Sequence, residues 1–151
     1  MMRYLILGAT LTMLCGAQSF AQSVPLPAEQ IVAIRKSVMD LQGGVTAAMK
    51  AGVEQKVDVK AFADGAKGLV ASAKLIPAMF PVGTETAGGT KAKAAIWSDP
   101  ADYAKDAKAL QTEAEKLVTL AEAGDKDGFA TQFAAVGKTC GACHRAYKER
   151  D

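Results

Sequence analysis

The stretch Phe129-Ala-Thr-Gln-Phe133-Ala-Ala-Val136-Gly-Lys-Thr-Cys140-Gly141-Ala142-Cys143-His144-Arg145-Ala146-Tyr147 carries two signals at once. Phe129, Phe133, Val136, Cys140, Cys143 and Tyr147 recur at spacings of four and three, the period of one face of an α-helix. Inside it, Cys140-Gly141-Ala142-Cys143-His144 is Cys-x-x-Cys-His, the pattern of a c-type haem attachment site. Each residue has a chemical task at that spacing. Two thiols add across the two vinyl groups of one haem, and the neighbouring imidazole binds the iron axially. Positions i, i+3 and i+4 share one side of a helix, so Cys140, Cys143 and His144 face one porphyrin.

Two other chemistries use the same side chains. A zinc site needs a fourth ligand. His144 is the only histidine, and the third cysteine, Cys15, falls in the leader described below. A thioredoxin-like dithiol is the other alternative, and would make the protein an exported thiol-disulfide oxidoreductase. Such dithiols follow a strand and open a helix. Here no strand pattern precedes the pair, which falls late in the last helix. The pattern favours one covalent haem c, with the dithiol as the competing reading.

The 151 residues suffice for one domain. Half are hydrophobic, many of them alanine, and only 6% are aromatic; such a composition favours helix. Residues 1–21 read as a cleaved secretory signal peptide: Arg3 is the charged n-region, Tyr4 to Cys15 the apolar segment, and Ser19-Phe20-Ala21 the cleavage site. The mature chain then starts at Gln22, and residues 22–151 form the domain. Removing the leader takes Arg3 and no acidic residue, leaving 17 basic against 16 acidic residues. That balance gives no basic patch for nucleic acid, and no further segment could insert stably in a membrane. Export agrees with haem c, which bacteria attach outside the cytoplasm, so the expected location is the periplasm.

In the mature chain a first helix is expected over about Ala28 to Ala51, with a core stripe of Ile31, Ile34, Val38, Leu41, Val45 and Ala48. Gly43-Gly44 predicts either a kink or the close approach of something bulky and flat, and Gly52 a C-terminal stop. A second helix runs from about Asp58 to Ile76 on Val59, Phe62, Ala66, Leu69, Ala73 and Ile76. Phe80 to Asp99 is a long connection in which Trp97 packs on the core. A third helix starts at the cap Asp99 and Pro100, uses Tyr103, Ala107, Leu110, Ala114, Leu117 and Ala121, and ends at Gly124. A turn over Gly124 to Gly128 leads to the last helix. The fold expected is all-α: an antiparallel up-down-up-down four-helix bundle with a covalently bound haem among its helices.

His144 supplies one axial ligand and no second histidine exists. Of Met39, Met49 and Met79, Met39 is the best sixth ligand, because it shares a helix face with Arg35 and Gly43; as a plain side chain it is core filler. Thioether ligation would suit electron transfer. With no side chain bound, the iron is five-coordinate and open to a small ligand. Arg35 is either a propionate partner through its planar fork or a solvated surface arginine. No nucleophile–base pair is present, and Glu113 and Glu115 read as a solvated helix face, so no enzyme activity is expected.

With these residues the sequence resembles the class II c-type cytochromes, the cytochrome c′ and cytochrome c-556 family, across essentially the whole mature chain. The resemblance rests on Cys140-Gly-Ala-Cys143-His144-Arg-Ala-Tyr147-Lys148, Arg35-Lys-Ser-Val-Met39, Gly83-Thr84-Glu85 and Ala95-Ile96-Trp97. It implies thioethers from Cys140 and Cys143, His144 as proximal iron ligand and Arg35 near a propionate. It further implies Thr84 and Glu85 at the haem edge, and Tyr147 near the proximal side. Lys36 stands where the family often has glutamine, and Lys148 where many members have arginine. In the cytochrome c′ branch the resemblance implies a five-coordinate haem that binds nitric oxide or carbon monoxide, electron exchange with periplasmic redox partners, and often a homodimer. In the c-556 branch it implies a low-spin carrier with Met39 on the iron.

Overall fold

A computed structural model of the chain describes residues 26–150. The expected leader, residues 1–21, and the expected mature start at Gln22 lie outside the described residues. Helix α1 spans Ala28–Glu54, α2 Ala63–Leu75, α3 Ala95–Ser98, α4 Pro100–Ala123 and α5 Lys126–Tyr147. Single 3₁₀ turns over Val59–Phe62 and Ile76–Met79 flank α2, so the second expected helix is one α-helix with tightened ends. The four long helices form the antiparallel four-helix bundle.

The ends follow from local chemistry. The Asp99 carboxylate accepts the Asp102 N–H at 3.1 Å and opens α4, with Pro100 in the first turn where no N–H is needed. Gly124 closes α4 at φ 73°, and its N–H reaches back to the last turn. Asp125 then accepts from Gly128 N–H at 3.0 Å. This cap starts α5 at Lys126, three residues earlier than the apolar pattern starts it.

The core runs along α4. Tyr103, Ala107, Leu110, Ala114, Leu117 and Ala121, the whole expected stripe, are buried. α4 packs closely on both α2 and α5, whereas α1 makes much thinner contact with α2 and α5.

On α1 the expectation needs correcting. The buried residues are Val32, Arg35, Met49 and Gly52, with Met39 and Val45 packed on the core. Ile34 and Leu41, expected inside, are 49% and 70% exposed, and Ala48 is also exposed. Val45 packs inward as expected, but the rest of the inward stripe, Val32, Arg35, Met39 and Met49, is displaced by one residue, or about 100° of helix rotation. α1 also runs unkinked through Gly43-Gly44 and past Gly52. Gly52 is no stop signal. A Cβ there would overlap the Phe62 ring, which packs directly on the helix backbone.

The long connection is ordered by its ends. Ala92 pairs with Lys148 in an isolated antiparallel bridge, Lys93 N–H donates to Tyr147 O at 2.9 Å, and Glu149 N–H donates to Lys91 O at 2.8 Å. This strap ties the connection to the C-terminal end of α5. Trp97 packs on the core as expected, with its indole N–H donating to Pro81 O at 3.2 Å.

Candidate haem site

Between α1 and α5 lies a cavity of about 380 Å³, within the size range of small-molecule and cofactor sites. From α5 it is lined by Thr139, Cys140, Cys143, His144 and Tyr147. From α1 it is lined by Arg35, Lys36, Met39, Gln42, Gly43 and Thr46. Much of the remaining wall is apolar, with Ile76, Phe80, Ile96 and Leu110 among it. The fold therefore brings five of the expected site residues, Arg35, Met39, Cys140, Cys143 and His144, to one space.

Cys140 and Cys143 are half-buried free thiols one turn apart. Burial pushes both thiols up, Cys143 to about 11, with Asp106 adding to the burial effect at Cys143. A dithiol exchange site shows the opposite, a thiol depressed toward neutrality at the start of a helix. Among the described residues no group of three His, Cys, Asp or Glu side chains is placed to hold a metal ion by itself.

Arg35 is 4% exposed, which removes the solvated-surface alternative. Its Nη1 donates to Thr84 Oγ1 at 3.0 Å, and its Nη2 donates to Thr84 O and to Thr90 Oγ1. The guanidinium carbon lies 4.4 Å from the centroid of the Phe80 ring. All of these partners are neutral. Burial accordingly lowers the pKa of Arg35, with Tyr103 acting weakly the other way. A buried cation among neutral dipoles calls for an anion, and the cavity it lines is where that anion would be.

Of the remaining expected residues, Thr84 and Glu85 stand outside the wall, whereas Lys36 is part of it. Thr84 is 1% exposed and does not line the cavity; it reaches it only through Arg35. Glu85 is half-buried and is not in the lining either. Lys36 Nζ donates to Gly88 O at 2.9 Å and to Gly89 O at 3.0 Å, so it clamps the long connection onto α1.

Three features were not anticipated from sequence. Phe80, Tyr103 and Tyr147 form an edge-on array, with centroid distances of 5.2 and 4.9 Å, that walls the cavity beside Arg35. Thr90 holds the second guanidinium nitrogen. Gln42 lines the cavity, and its amide nitrogen has no partner among the described residues. Tyr103 and Tyr147 had a sequence signal, as core-stripe positions; Phe80, Thr90 and Gln42 did not, and their placement depends on contacts between distant segments.

These residues fit a haem. The cavity joins two thiols and an imidazole at haem-attachment spacing to an uncompensated buried cation suited to a carboxylate. A Cβ at Gly43 would meet nothing within 4 Å, leaving a bare patch of helix for a flat group to approach.

Comparison with known proteins agrees. The family model described as Cytochrome C′ matches residues 30–148. The cytochrome c′ of Rhodospirillum rubrum is 37% identical over 120 residues, 78% of this chain and 80% of that protein. The cytochrome c-556 of Agrobacterium fabrum is 34% identical over 105 residues, 70% of this chain and 69% of its own length. A nitric oxide complex of a cytochrome c′ variant from Alcaligenes xylosoxidans superposes with a TM-score of 0.74 at 32% identity, covering 82% of this chain and 97% of that one. Sequence, fold and cavity converge, and the chain belongs to the cytochrome c′ family, whose proteins carry one covalently bound haem c.

Proposed function

We propose that the chain is a periplasmic monohaem cytochrome of the c′ type, exported on residues 1–21, that exchanges single electrons and binds nitric oxide or carbon monoxide at an open iron. The observation that carries the proposal is the cavity in which Cys140, Cys143 and His144 on α5 meet Arg35, Met39 and Gly43 on α1. When bound, haem c supplies an iron that cycles between ferric and ferrous and takes up a small ligand.

The chain does the rest. Cys140 and Cys143 would hold the macrocycle to α5 through thioether bonds, the addition of S–H across C=C needing no oxidant. His144, on the cavity wall beside them, would hold the iron. Arg35 pairs with a propionate, oriented by Thr84 and Thr90, which take its N–H groups and leave its charge unneutralised. Thr84 thus acts through Arg35, with Glu85 nearby at the haem edge. The apolar wall of Ile76, Phe80 and Leu110 keeps water from the iron and favours a neutral diatomic ligand over a charged one.

The placement of Met39 on the cavity wall supports a second reading, a low-spin electron carrier of c-556 type with Met39 as sixth ligand. A homodimer through the outer face of α1 is a further part of the proposal, supported by the exposure of Ile34 and Leu41.

Optical spectra of the purified protein, ferric and ferrous, with and without carbon monoxide, test this directly. A high-spin spectrum that shifts with carbon monoxide is expected. A low-spin spectrum indifferent to carbon monoxide, converted to high-spin by Met39→Ala, would establish the carrier instead. A protein with two titratable thiols and no haem ends both readings.

A further inference from the structure

Asp106 lines the cavity from α4, one helical turn after Tyr103, in the same wall as Cys143, His144 and Tyr147 of α5. It is half-buried, and among the described residues no hydrogen bond or ion pair reaches its carboxylate. Its charge is felt on α5. After burial, Asp106 is the largest cause that pushes the Cys143 thiol up, and it acts on the Tyr147 phenol behind burial and Asp102.

The same cavity holds Arg35, which donates to Thr84 and Thr90 and to no carboxylate. Opposite charges sharing a half-buried space ordinarily pair, because their attraction strengthens as water is excluded. Here they stay apart, and a haem treats them differently. Under the propionate pairing proposed above, a haem carboxylate neutralises Arg35. A haem has nothing for Asp106: its ring nitrogens are on the metal, and its propionates are themselves acceptors. The Asp106 charge therefore stays uncancelled beside the ring. The other acidic residue in the wall, Asp40, is exposed, where water and salt screen it. Of the lysines in the wall, Lys36 and Lys91 are exposed as well, and Lys148 belongs to the strap.

We propose that Asp106 is a built-in negative charge that lowers the reduction potential of the haem and so holds the iron toward the ferric state. Ferric iron carries one positive charge more than ferrous iron, and a carboxylate fixed in the cavity wall stabilises the more positive form. No contact between Asp106 and the iron is needed, since a charge acts through space where water is excluded. The proposal rests on the haem site described above and holds for an open or a six-coordinate iron alike.

The test is a redox titration of the holoprotein as wild type, Asp106→Asn and Asp106→Glu, with Asp106→Ser in place of the first should it fail to fold. Asp106→Asn keeps the shape and drops the charge. At a fixed ambient potential its ratio of ferrous to ferric protein should rise about threefold to tenfold, a midpoint about 30–60 mV higher. Asp106→Glu keeps the charge, and its ratio should stay within about twofold of wild type. Ferric and ferrous optical spectra should be the same in all of them, because no ligand to the iron changes. An unchanged midpoint in Asp106→Asn overturns the proposal and leaves the haem site intact. So does an equal rise in Asp106→Glu, which marks lost packing, or an altered spectrum, which traces the shift to the iron's ligands. A purified wild type without haem overturns the haem reading and this proposal together.

Discussion

The Arg35 guanidinium lies 4.4 Å from the centroid of the Phe80 ring, a buried cation stacked on an aromatic face. Trp97 flanks the same guanidinium at 6.0 Å, and Thr84 and Thr90 take its N–H groups. Every partner orients the charge and none cancels it. Together they hold one positive charge at one end of the cavity.

Replacing Arg35 by Leu removes that charge, leaves Thr84 without its partner and, under the proposed propionate pairing, leaves the haem carboxylate unpaired. The holoprotein should lose about 1.5–3 kcal/mol of stability, the range for a hydrogen bond to a charged group, and its reduction potential should fall, because a nearby cation favours the more electron-rich ferrous state. Arg35→Lys keeps the charge but loses the planar fork, so it should restore most of the potential and only part of the stability. Urea denaturation and a redox titration measure the two effects. If Arg35→Leu matches wild type in both, the cation has no anionic partner.

The two well-placed glycines of α1 predict opposite outcomes. Gly52 has the Phe62 ring where a side chain would begin, so Gly52→Ala should destabilise by about 1–3 kcal/mol through overpacking. Gly44 is exposed with nothing within 4 Å of a built Cβ, so Gly44→Ala should stabilise by about 0.5–1 kcal/mol, the ordinary helix preference for alanine. Chemical denaturation of both variants decides it. A neutral Gly52→Ala would mean that Phe62 moves freely out of the way.

How much of this was legible in the sequence differs between helices for a physical reason. On α4 the inward face packs on α2 and α5, and where it reaches the cavity, at Tyr103, Ala107 and Leu110, it forms part of the wall with residues from the same core stripe, so periodicity identifies every buried position from Tyr103 to Ala121. On α1 the inward face meets the cavity, and it carries Arg35, Gln42, Gly43 and Thr46. The most apolar face of α1, with Ile34 and Leu41, therefore points outward, and a search for apolar spacing selects it. The Cys140–His144 motif identified the cofactor because its spacing is local. The hold of Thr84 on Arg35 spans 49 residues and left no sequence pattern.

The outward stripe of α1 gives the next prediction. Leu41 is 70% exposed and Ile34 49%, and burying one such side chain is worth about 1.5–3 kcal/mol. In a two-fold symmetric pair each substitution counts twice. Leu41→Glu should then raise the dimer dissociation constant at least a hundredfold or so. Sedimentation of wild type and variant across a concentration series measures this. Wild type sedimenting as a monomer at high concentration removes the pairing.

Tyr103 gives a prediction about pH. Its phenol is buried, with Phe80 and Tyr147 edge-on at 5.2 and 4.9 Å. Burial, opposed only in part by the Arg35 charge, holds its pKa far above the usual value of 10.0. In the unfolded chain the same phenol ionises near that usual value. Below it both states keep the proton, and Tyr103 contributes nothing to the pH dependence. Above it the unfolded state gives up a proton that the folded state retains. Stability must then fall as pH rises, by about 1.4 kcal/mol per unit from this one group. Tyr103→Phe removes the proton and should flatten the loss between about pH 10 and 11 by that amount, while leaving the profile below pH 9 unchanged in shape. Urea denaturation of wild type and Tyr103→Phe at matched pH values measures the difference. Parallel profiles throughout would mean that water reaches the phenol, and that the aromatic wall beside Arg35 is open.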